Sequence, residues 1–284
     1  MKWIITIPAI LLFALAGCGK DKQSTNELIT VDVTVSYPKK ELILQDFMDV
    51  EYIPLETKDD FICQGLVLAI GKDIILARNR IRDGDIFIYD RKTGKGLKKI
   101  NREGQGGEEY TFIQRIVLDE KQNEIFVLDH FSRKISVYDL DGNFKRSLKR
   151  GDELYFFHLY NFNQTSLITN NYWVTDKPAF TIISKQDGTT KQIQIPFKEK
   201  ISMPVNYSDK AKDIYYNVIP DNYNPIIPYF DCWVLVEQSS DTVYKYQSDH
   251  KMIPIIARTP SVQSMNPEVF LFLGILTNRY YFMV

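Results

Sequence analysis

Apolar residues from position 28 onward occur in short runs that alternate with polar residues or are rich in β-branched and aromatic side chains. Residues 29–35, 86–89 and 125–128 are examples. Turns containing glycine separate these runs, as they do between antiparallel strands. No segment after residue 27 keeps a 3.6-residue apolar period over several turns, as an amphipathic helix does. The pattern therefore predicts an all-β chain with little helix.

The strands form a unit that repeats along the chain. Each copy contains a strand, a tight turn and a further strand, and the turn residues of successive copies are Gly94, Gly142, Gly188 and His250. Two more strands precede each copy, so the unit is four strands in about 40–50 residues, the period of a β-propeller blade. A β-sandwich is the structural alternative, although its strands would not repeat in fours. One blade cannot bury both of its apolar faces, so we expect stacked blades centred near residues 90, 138, 183 and 244.

The N-terminus has the pattern of a secretory signal. Lys2 precedes an almost unbroken apolar run over residues 4–16, which as a helix is roughly 20 Å long and too short for a hydrocarbon core of about 30 Å. The run ends in Leu-Ala-Gly-Cys at Cys18, which resembles the lipobox of bacterial lipoproteins, whose cysteine is lipidated. We expect a signal peptide over residues 1–17, lipid attachment at Cys18 and a flexible tether over residues 18–27. A plain signal peptide is the alternative, and the choice between periplasmic face and cell surface stays open.

Charge and composition exclude two classes of protein. The chain has 35 Lys and Arg and 36 Asp and Glu, a formal charge of −1. An extended basic surface that binds nucleic acid is therefore not expected. With 44% hydrophobic residues the chain is not a disordered protein. Only three His and three Cys are present, so we predict no cofactor and no rich metal or disulfide framework.

Several polar residues are better explained by structure than by chemistry. Asp90, Asp129, Asp139 and Asp176 follow strands, where a carboxylate commonly caps a turn by accepting backbone N–H bonds. The glycine-rich residues 104–107 lack the Gly-Lys-Ser/Thr ending of a phosphate loop. We therefore interpret these aspartates as turn caps and residues 104–107 as a connection between blades.

No catalytic or metal-binding residues are predicted. His130, His158 and His250 lie at unlike positions of different repeats without a recognised ligand spacing. Neither Cys63 nor Cys232 has a neighbouring histidine, and no Gly-x-Ser-x-Gly elbow occurs. Sequence gives no reason to expect the two cysteines to be close enough for a disulfide.

The sequence spacing between the third and fourth repeats is longer than the others because of residues 198–230. These residues are rich in Asn, Tyr and Pro and are predicted to form a long loop. Tyrosine rings and asparagine amides make good contact surfaces for sugars or peptides. The alternative is a loop that packs across a blade rim. We predict a ligand-binding patch formed by Tyr207, Tyr215, Tyr216, Asn222, Tyr223 and Asn224.

Four stretches carry a resemblance to a known family. Residues 126–144 resemble an NHL-type propeller repeat. Three more are residues 52–57 (YIPLET), 104–110 (GQGGEEY) and 239–244 (SSDTVY). Together with the lipobox they resemble the six-bladed β-propeller lipoproteins of Bacteroidetes, over residues 28–284. The resemblance implies a propeller fold and an envelope location, and it brings no catalytic residues with it.

The chain differs from a complete ring in length. Six blades of about 45 residues need roughly 270 residues, whereas residues 28–284 provide 257. We count four full repeats, followed by one or two strands in residues 270–284. We therefore expect a propeller domain over residues 28–284 with four to five blades, truncated at its C-terminus. The alternative is that residues 279–284 pair with N-terminal strands and close the ring.

These observations favour a membrane-anchored envelope lipoprotein whose propeller is a binding module for a protein, glycan or peptide ligand. We do not expect it to be an enzyme. The first alternative is a propeller-type hydrolase or lactonase that holds a metal in its central channel. The second is a structural subunit of an outer-membrane complex, which an exposed apolar patch would favour.

Overall fold

The computed structural model describes residues 28–38, 41, 43, 45, 49–80, 83–149, 156–171, 178–201, 205–218, 224–277 and 281–283. The predicted signal peptide, Cys18 and the tether lie outside the described residues. Helical structure in these ranges is confined to short 3-10 segments, which include Asp59–Phe61, Glu120–Gln122 and Val262–Ser264. None of the helices described is long and apolar enough to cross a membrane. The prediction of an all-β chain with little helix is confirmed.

In the described residues, four sheets are each built on four consecutive antiparallel strands, and together they form the body of the protein. Blade I contains β2 (Leu66–Ile70), β3 (Ile74–Arg78), β4 (Asp85–Asp90) and β5 (Gly96–Asn101). Blade II contains β6 (Ile113–Asp119), β7 (Glu124–Asp129), β8 (Lys134–Asp139) and β9 (Phe144–Lys149). Blade III contains β10 (Phe156–Asn161), β11 (Ser166–Asn171), β12 (Phe180–Ser184) and β13 (Thr190–Ile193). Blade IV contains β16 (Ile226–Tyr229), β17 (Cys232–Leu235), β18 (Thr242–Gln247) and β19 (Met252–Thr259). The repeat predicted from sequence is confirmed in all four places.

The turns between the third and fourth strands account for the glycine spacing. Gly94, Gly142 and Gly188 have φ angles of +71°, +83° and +79°, a left-handed region that glycine enters without the steric penalty of a side chain. His250 occupies the corresponding turn of blade IV with a φ of +68°. The same turn geometry therefore recurs in every blade.

Successive blades stack face to face. Leu76 and Ile88 of blade I share a buried cluster with Ile116 and Val127 of blade II. Similar clusters join blade II to blade III and blade III to blade IV. The first strands of neighbouring blades touch, β2 against β6 and β6 against β10. These first strands are therefore the innermost strands of the propeller.

The N-terminal segment covers the free face of blade I. Ile53, Leu55 and Phe61 pack against a buried cluster that contains Phe87 and Tyr89. The ring centroids of Phe61 and Tyr89 are 5.7 Å apart in an edge-to-face arrangement, which is favourable for aromatic pairs. Residues 53–63 thus take the position at blade I that a neighbouring blade occupies elsewhere.

Both ends of the described chain contact blade IV. Strand β1 (Ile29–Asp32) pairs in parallel with β19 and makes a fifth strand of that sheet. Strands β20 (Leu273–Leu276) and β21 (Tyr281–Met283) form a hairpin that packs on the same blade through Leu273, Tyr281 and Met283. In the described residues β1 pairs with β19 and not with β21. Truncation at the C-terminus stays a prediction.

The enlarged connection between blades III and IV is not simply a loop. It contains a separate hairpin of β14 (Val205–Asp209) and β15 (Ile214–Val218), which pair with each other in a two-stranded sheet. The prediction of a long loop over residues 198–230 is therefore wrong for these strands, and also for β16. Alternating β-branched and tyrosine residues favour extended backbone even in a segment rich in asparagine.

Candidate functional site

The innermost strands line an open cavity of about 1070 Å³. Residues of β2, β6 and β10 line most of it, and blade IV contributes Pro228 and Trp233. Pockets that bind small molecules typically measure about 300–1,000 Å³ and combine apolar walls with a few polar groups. The cavity is therefore large enough for a ligand, and residues from four blades meet there.

Aromatic side chains from blades III and IV form one wall of the cavity. The ring centroids of Tyr160 and Trp233 are 5.4 Å apart, and the rings of His158 and Tyr160 stack with an interplanar angle of 14°. His158 and Tyr160 are two positions apart on β10 and so lie on the same side of the strand. Tyr160 and Trp233 also pack against the buried cluster between the two blades. This support holds the aromatic wall in place.

His158 is neutral at pH 7. Burial lowers the pKa of His158 below its ordinary 6.5, the hydrogen bond with Asn170 opposes this, and the positive charge of Arg115 lowers the pKa further. Asn170 Oδ1 accepts the His158 main-chain N–H at 3.3 Å and lies 3.1 Å from His158 Nδ1. Because that oxygen can only accept, Nδ1 carries the proton. The imidazole adds hydrogen-bonding capacity to the wall without a second positive charge.

Arg115 brings a permanent cation to the cavity. A bulge interrupts the pairing of β6 with β7 between Ile113 and Arg115, and such irregularities redirect side chains. The charge of Arg115 also acts on Tyr160, where it partly opposes the rise in pKa that burial causes. The guanidinium is therefore close enough to influence both aromatic groups of β10.

Two carboxylates in the cavity lining hold neighbouring blades together. Asp119 Oδ2 lies 2.5 Å from Nζ of Lys185, and both side chains are almost fully buried. Glu120 accepts hydrogen bonds from three consecutive main-chain N–H groups of blade I, including those of Asp73 at 2.8 Å and Ile74 at 3.0 Å. The first contact links blade II to blade III, and the second links blade II to blade I.

Three of the four aspartates interpreted as turn caps have that role. Asp129 is fully buried, and its carboxylate accepts main-chain N–H bonds from Thr111 at 2.6 Å, Phe131 at 3.0 Å and Ser132 at 3.2 Å. Burial alone would raise the pKa of Asp129, but these bonds outweigh it and lower the pKa. Asp90 and Asp139 cap their own turns in the same way.

The fourth aspartate, Asp176, lies outside the described residues. Residues 104–107 lie between β5 and β6, where Gly106 N–H donates to Glu109. The glycine-rich segment is therefore a connection between blades, as expected.

The remaining histidines and cysteines lie apart from the cavity. His130 packs against Phe112 and Phe131, and His250 lies 2.9 Å from the hydroxyl of Tyr246. Cys63 and Cys232 are both free thiols. Within the described ranges there is no group of three or more His, Cys, Asp or Glu residues that could hold a metal ion.

The hairpin between blades III and IV carries three of the tyrosines predicted to bind a ligand. Tyr207 is paired with Tyr216 across the hairpin, and Tyr215 with Ser208. Adjacent positions of a strand belong to opposite faces, so position 215 lies on the other face from positions 207 and 216. Tyr215 and Asn224 are exposed. Asn222 and Tyr223 lie outside the described residues.

Sequence reasoning did not single out the residues of the cavity wall, apart from considering His158 as a metal ligand. Arg115, His158 and Tyr160 belong to the first strands of their repeats, and Trp233 is the second residue of the second strand of blade IV. Polar and aromatic residues at positions of an otherwise apolar innermost strand are the signal that could have identified them. Their convergence depends on how the blades stack.

Comparison with known proteins identifies the same architecture. A family model described as a 6-bladed beta-propeller, DUF5128, matches residues 19–284. A similar structure, with a TM-score of 0.52 and 14% sequence identity, belongs to a Bacteroides fragilis protein whose name suggests that it is exported. The alignment covers 85% of this chain and 64% of that one. A Bacteroides vulgatus member of the DUF4221 family aligns with 12% identity and a TM-score of 0.49, over 73% of this chain and 61% of that one.

This chain spans less than two thirds of the length of either solved structure. At such low identity the likeness to the Bacteroides fragilis protein concerns the fold alone. No curated protein matches the chain. The resemblance to a six-bladed propeller family is confirmed by the family model, and the described residues contain four of its blades.

Proposed function

We propose that this chain, which belongs to the DUF5128 family of 6-bladed beta-propellers, is a binding module of the bacterial cell envelope that takes a ligand in its central cavity. The observation that carries the proposal is the cavity of about 1070 Å³ between the innermost strands. Its wall combines the aliphatic side chains of β2 with the rings of Tyr160 and Trp233 and the charge of Arg115. Apolar walls with a few oriented polar groups are typical of ligand sites.

Binding is favoured over hydrolysis because of what the carboxylates in the cavity do. Asp119 is paired with Lys185, and Glu120 is held by three main-chain amides. A carboxyl group that acts as a general acid or base must be within reach of the substrate, and these two are engaged in joining blades. The cavity thus has surfaces for recognition, and its described carboxylates serve the fold.

The envelope location rests on the N-terminal sequence. Residues 4–16 and the Leu-Ala-Gly-Cys motif support export and lipidation at Cys18. The name of the Bacteroides fragilis protein of similar fold also points to export. Lipidation at Cys18 followed by a short polar tether would keep the propeller beside the membrane.

Replacement of Cys18 tests the anchor. In a bacterium that processes lipoproteins, Cys18→Ala should move the full-length protein out of the membrane fraction and abolish acyl labelling, because the thiol is the proposed attachment point. Cys63→Ala is the matched control, since Cys63 lies in the propeller, and it should change neither measurement. Unchanged labelling of the Cys18→Ala protein would contradict lipidation at this residue.

Blocking the cavity tests the ligand site. Val67 lies in the lining and is 43% exposed, so Val67→Trp should narrow the cavity beside β2 without entering the core. Leu97→Trp is the control, because Leu97 is 52% exposed on the outermost strand of blade I. A calorimetric screen of neutral and acidic oligosaccharides, short peptides and aromatic acids should find a ligand that binds the wild type and Leu97→Trp but not Val67→Trp. Equal binding by all three proteins would refute the cavity as the site.

A further inference from the structure

Three aromatic rings lie close together on blade II, and none of them lines the central cavity. The ring centroid of Phe112 is 5.7 Å from that of His130 and 5.3 Å from that of Phe131. The centroids of His130 and Phe131 are 4.9 Å apart, and all three pairs are edge to face. Phe131 is nonetheless 68% exposed. Packing against its two neighbours therefore fixes the direction of an exposed ring.

The two segments that carry these rings are held together by one buried carboxylate. Asp129 is fully buried and accepts the main-chain N–H of Thr111 at 2.6 Å and that of Phe131 at 3.0 Å. The main-chain N–H of His130 also donates to the carbonyl oxygen of Phe112 at 3.2 Å. Rings held in this way lose little conformational entropy when a ligand binds. The three rings thus form a rigid aromatic platform.

A second cavity, of about 210 Å³, lies beside Phe112, between blade I and the connection to blade II. Its charged lining residues are Arg78, Asp83, Asp85 and Glu103. Lys99 pairs with Asp85 at 2.8 Å. Glu103 is exposed and forms no ion pair within the described residues. Because carboxylate oxygens only accept hydrogen bonds, the cavity favours a ligand rich in donors.

From the aromatic platform and the cavity beside it, we infer a second binding site that takes a neutral sugar. The apolar face of a sugar ring stacks on Phe131, and its hydroxyl groups donate hydrogen bonds to Glu103 and Asp83. Hydrogen bonds to ionised acceptors are stronger than those between neutral groups. An acidic sugar would bring its carboxylate close to like charges, which is unfavourable. The site is separate from the ligand of the central cavity and goes beyond the function proposed above.

Trisaccharides of different charge test the class of ligand. Calorimetry on the full chain, in a detergent without a sugar headgroup, compares maltotriose, mannotriose and triacetylchitotriose with trigalacturonate and with a blocked Gly-Trp-Gly peptide. At least one neutral sugar should bind at least ten-fold more tightly than both trigalacturonate and the peptide. Absence of binding by all three neutral sugars would overturn the inference, and so would a preference for the acidic sugar or for the peptide.

Substitution of the exposed ring tests the location of the site. Phe131→Ala should weaken binding of the neutral sugar at least ten-fold, whereas Phe131→Trp should retain binding because an aromatic face remains. Phe230→Ala is the matched control, since Phe230 is 76% exposed but lies between β16 and β17 of blade IV, and it should bind like the wild type. Circular dichroism and thermal melting establish that the variants are folded. Equal binding by the wild type and Phe131→Ala would overturn the site.

Two more variants separate this site from the central cavity. Glu103→Gln removes one negative charge but keeps an acceptor oxygen, so it should narrow the preference for neutral over acidic sugar at least three-fold. An unchanged preference would overturn the role of Glu103. Val67→Trp, which narrows the central cavity, should leave binding of the sugar unchanged. Loss of binding in Val67→Trp but not in Phe131→Ala would assign the sugar to the central cavity, which would overturn this inference and support the proposed function.

Discussion

Lys185 offers a sharp test of how the blades are held together. Its Nζ lies 2.5 Å from Asp119 Oδ2, 2.7 Å from Asn161 Oδ1 and 2.5 Å from the carbonyl oxygen of Asn163, and the side chain is 3% exposed. Lys185→Met keeps a long unbranched side chain but removes the charge and every donor. The carboxylate of Asp119 would then stay buried without its cation.

The expected loss can be estimated from this geometry. Removing one partner of a buried ion pair typically costs about 3–5 kcal/mol. The net stability of a domain is about 5–15 kcal/mol, so Lys185→Met should remove a large part of it. Replacing both partners by apolar residues is often nearly neutral. The double variant Asp119→Leu/Lys185→Met should therefore be more stable than Lys185→Met alone.

Urea unfolding followed by circular dichroism measures these differences. The variants should share one slope of free energy against urea concentration, so that a shift in midpoint reports stability. Lys98→Met is the matched control, because Lys98 forms an ion pair with Asp141 in which both side chains are exposed. Such pairs contribute about 0–1 kcal/mol. A loss of less than 1 kcal/mol for Lys185→Met, or no difference from Lys98→Met, would refute the reasoning.

Two further substitutions test the turns. Gly94→Ala should lower the free energy of unfolding, measured in urea, by about 1–3 kcal/mol, because φ is +71° and a Cβ would lie 1.9 Å from the carbonyl oxygen of Pro54. Gly107→Ala is the control and should lower it less, because a Cβ there would have nothing within 4 Å. Equal losses in the two variants would contradict this. The lowered pKa of Asp129 means that its stabilisation is present above the ordinary pKa of about 4 and is lost as pH falls through the lower native value. Asp129→Asn should accordingly be less stable than the wild type at pH 7, with the gap narrowing on acidification below pH 4, and a gap independent of pH would contradict it.

The repeat and its turns could be predicted from the sequence because their causes are local. Gly94, Gly142 and Gly188 stand where the backbone needs a positive φ, and few other residues tolerate that conformation. Strand identity follows from alternation and from β-branched and aromatic residues over a few positions. The turn role of Asp129 also follows from its place at the end of a strand. These features need no knowledge of distant contacts.

Tertiary structure determines which residues meet in the candidate site and which strands pair at the edges of the sheets. Arg115, Tyr160 and Trp233 come from three different blades, and only the stacking of those blades around a common axis brings their side chains to one cavity. Likewise β1 pairs with β19 from the opposite end of the chain, a contact that no local pattern specifies. Hydrophobic burial favours many arrangements of strands, and backbone pairing with mutual packing of the blades selects one of them.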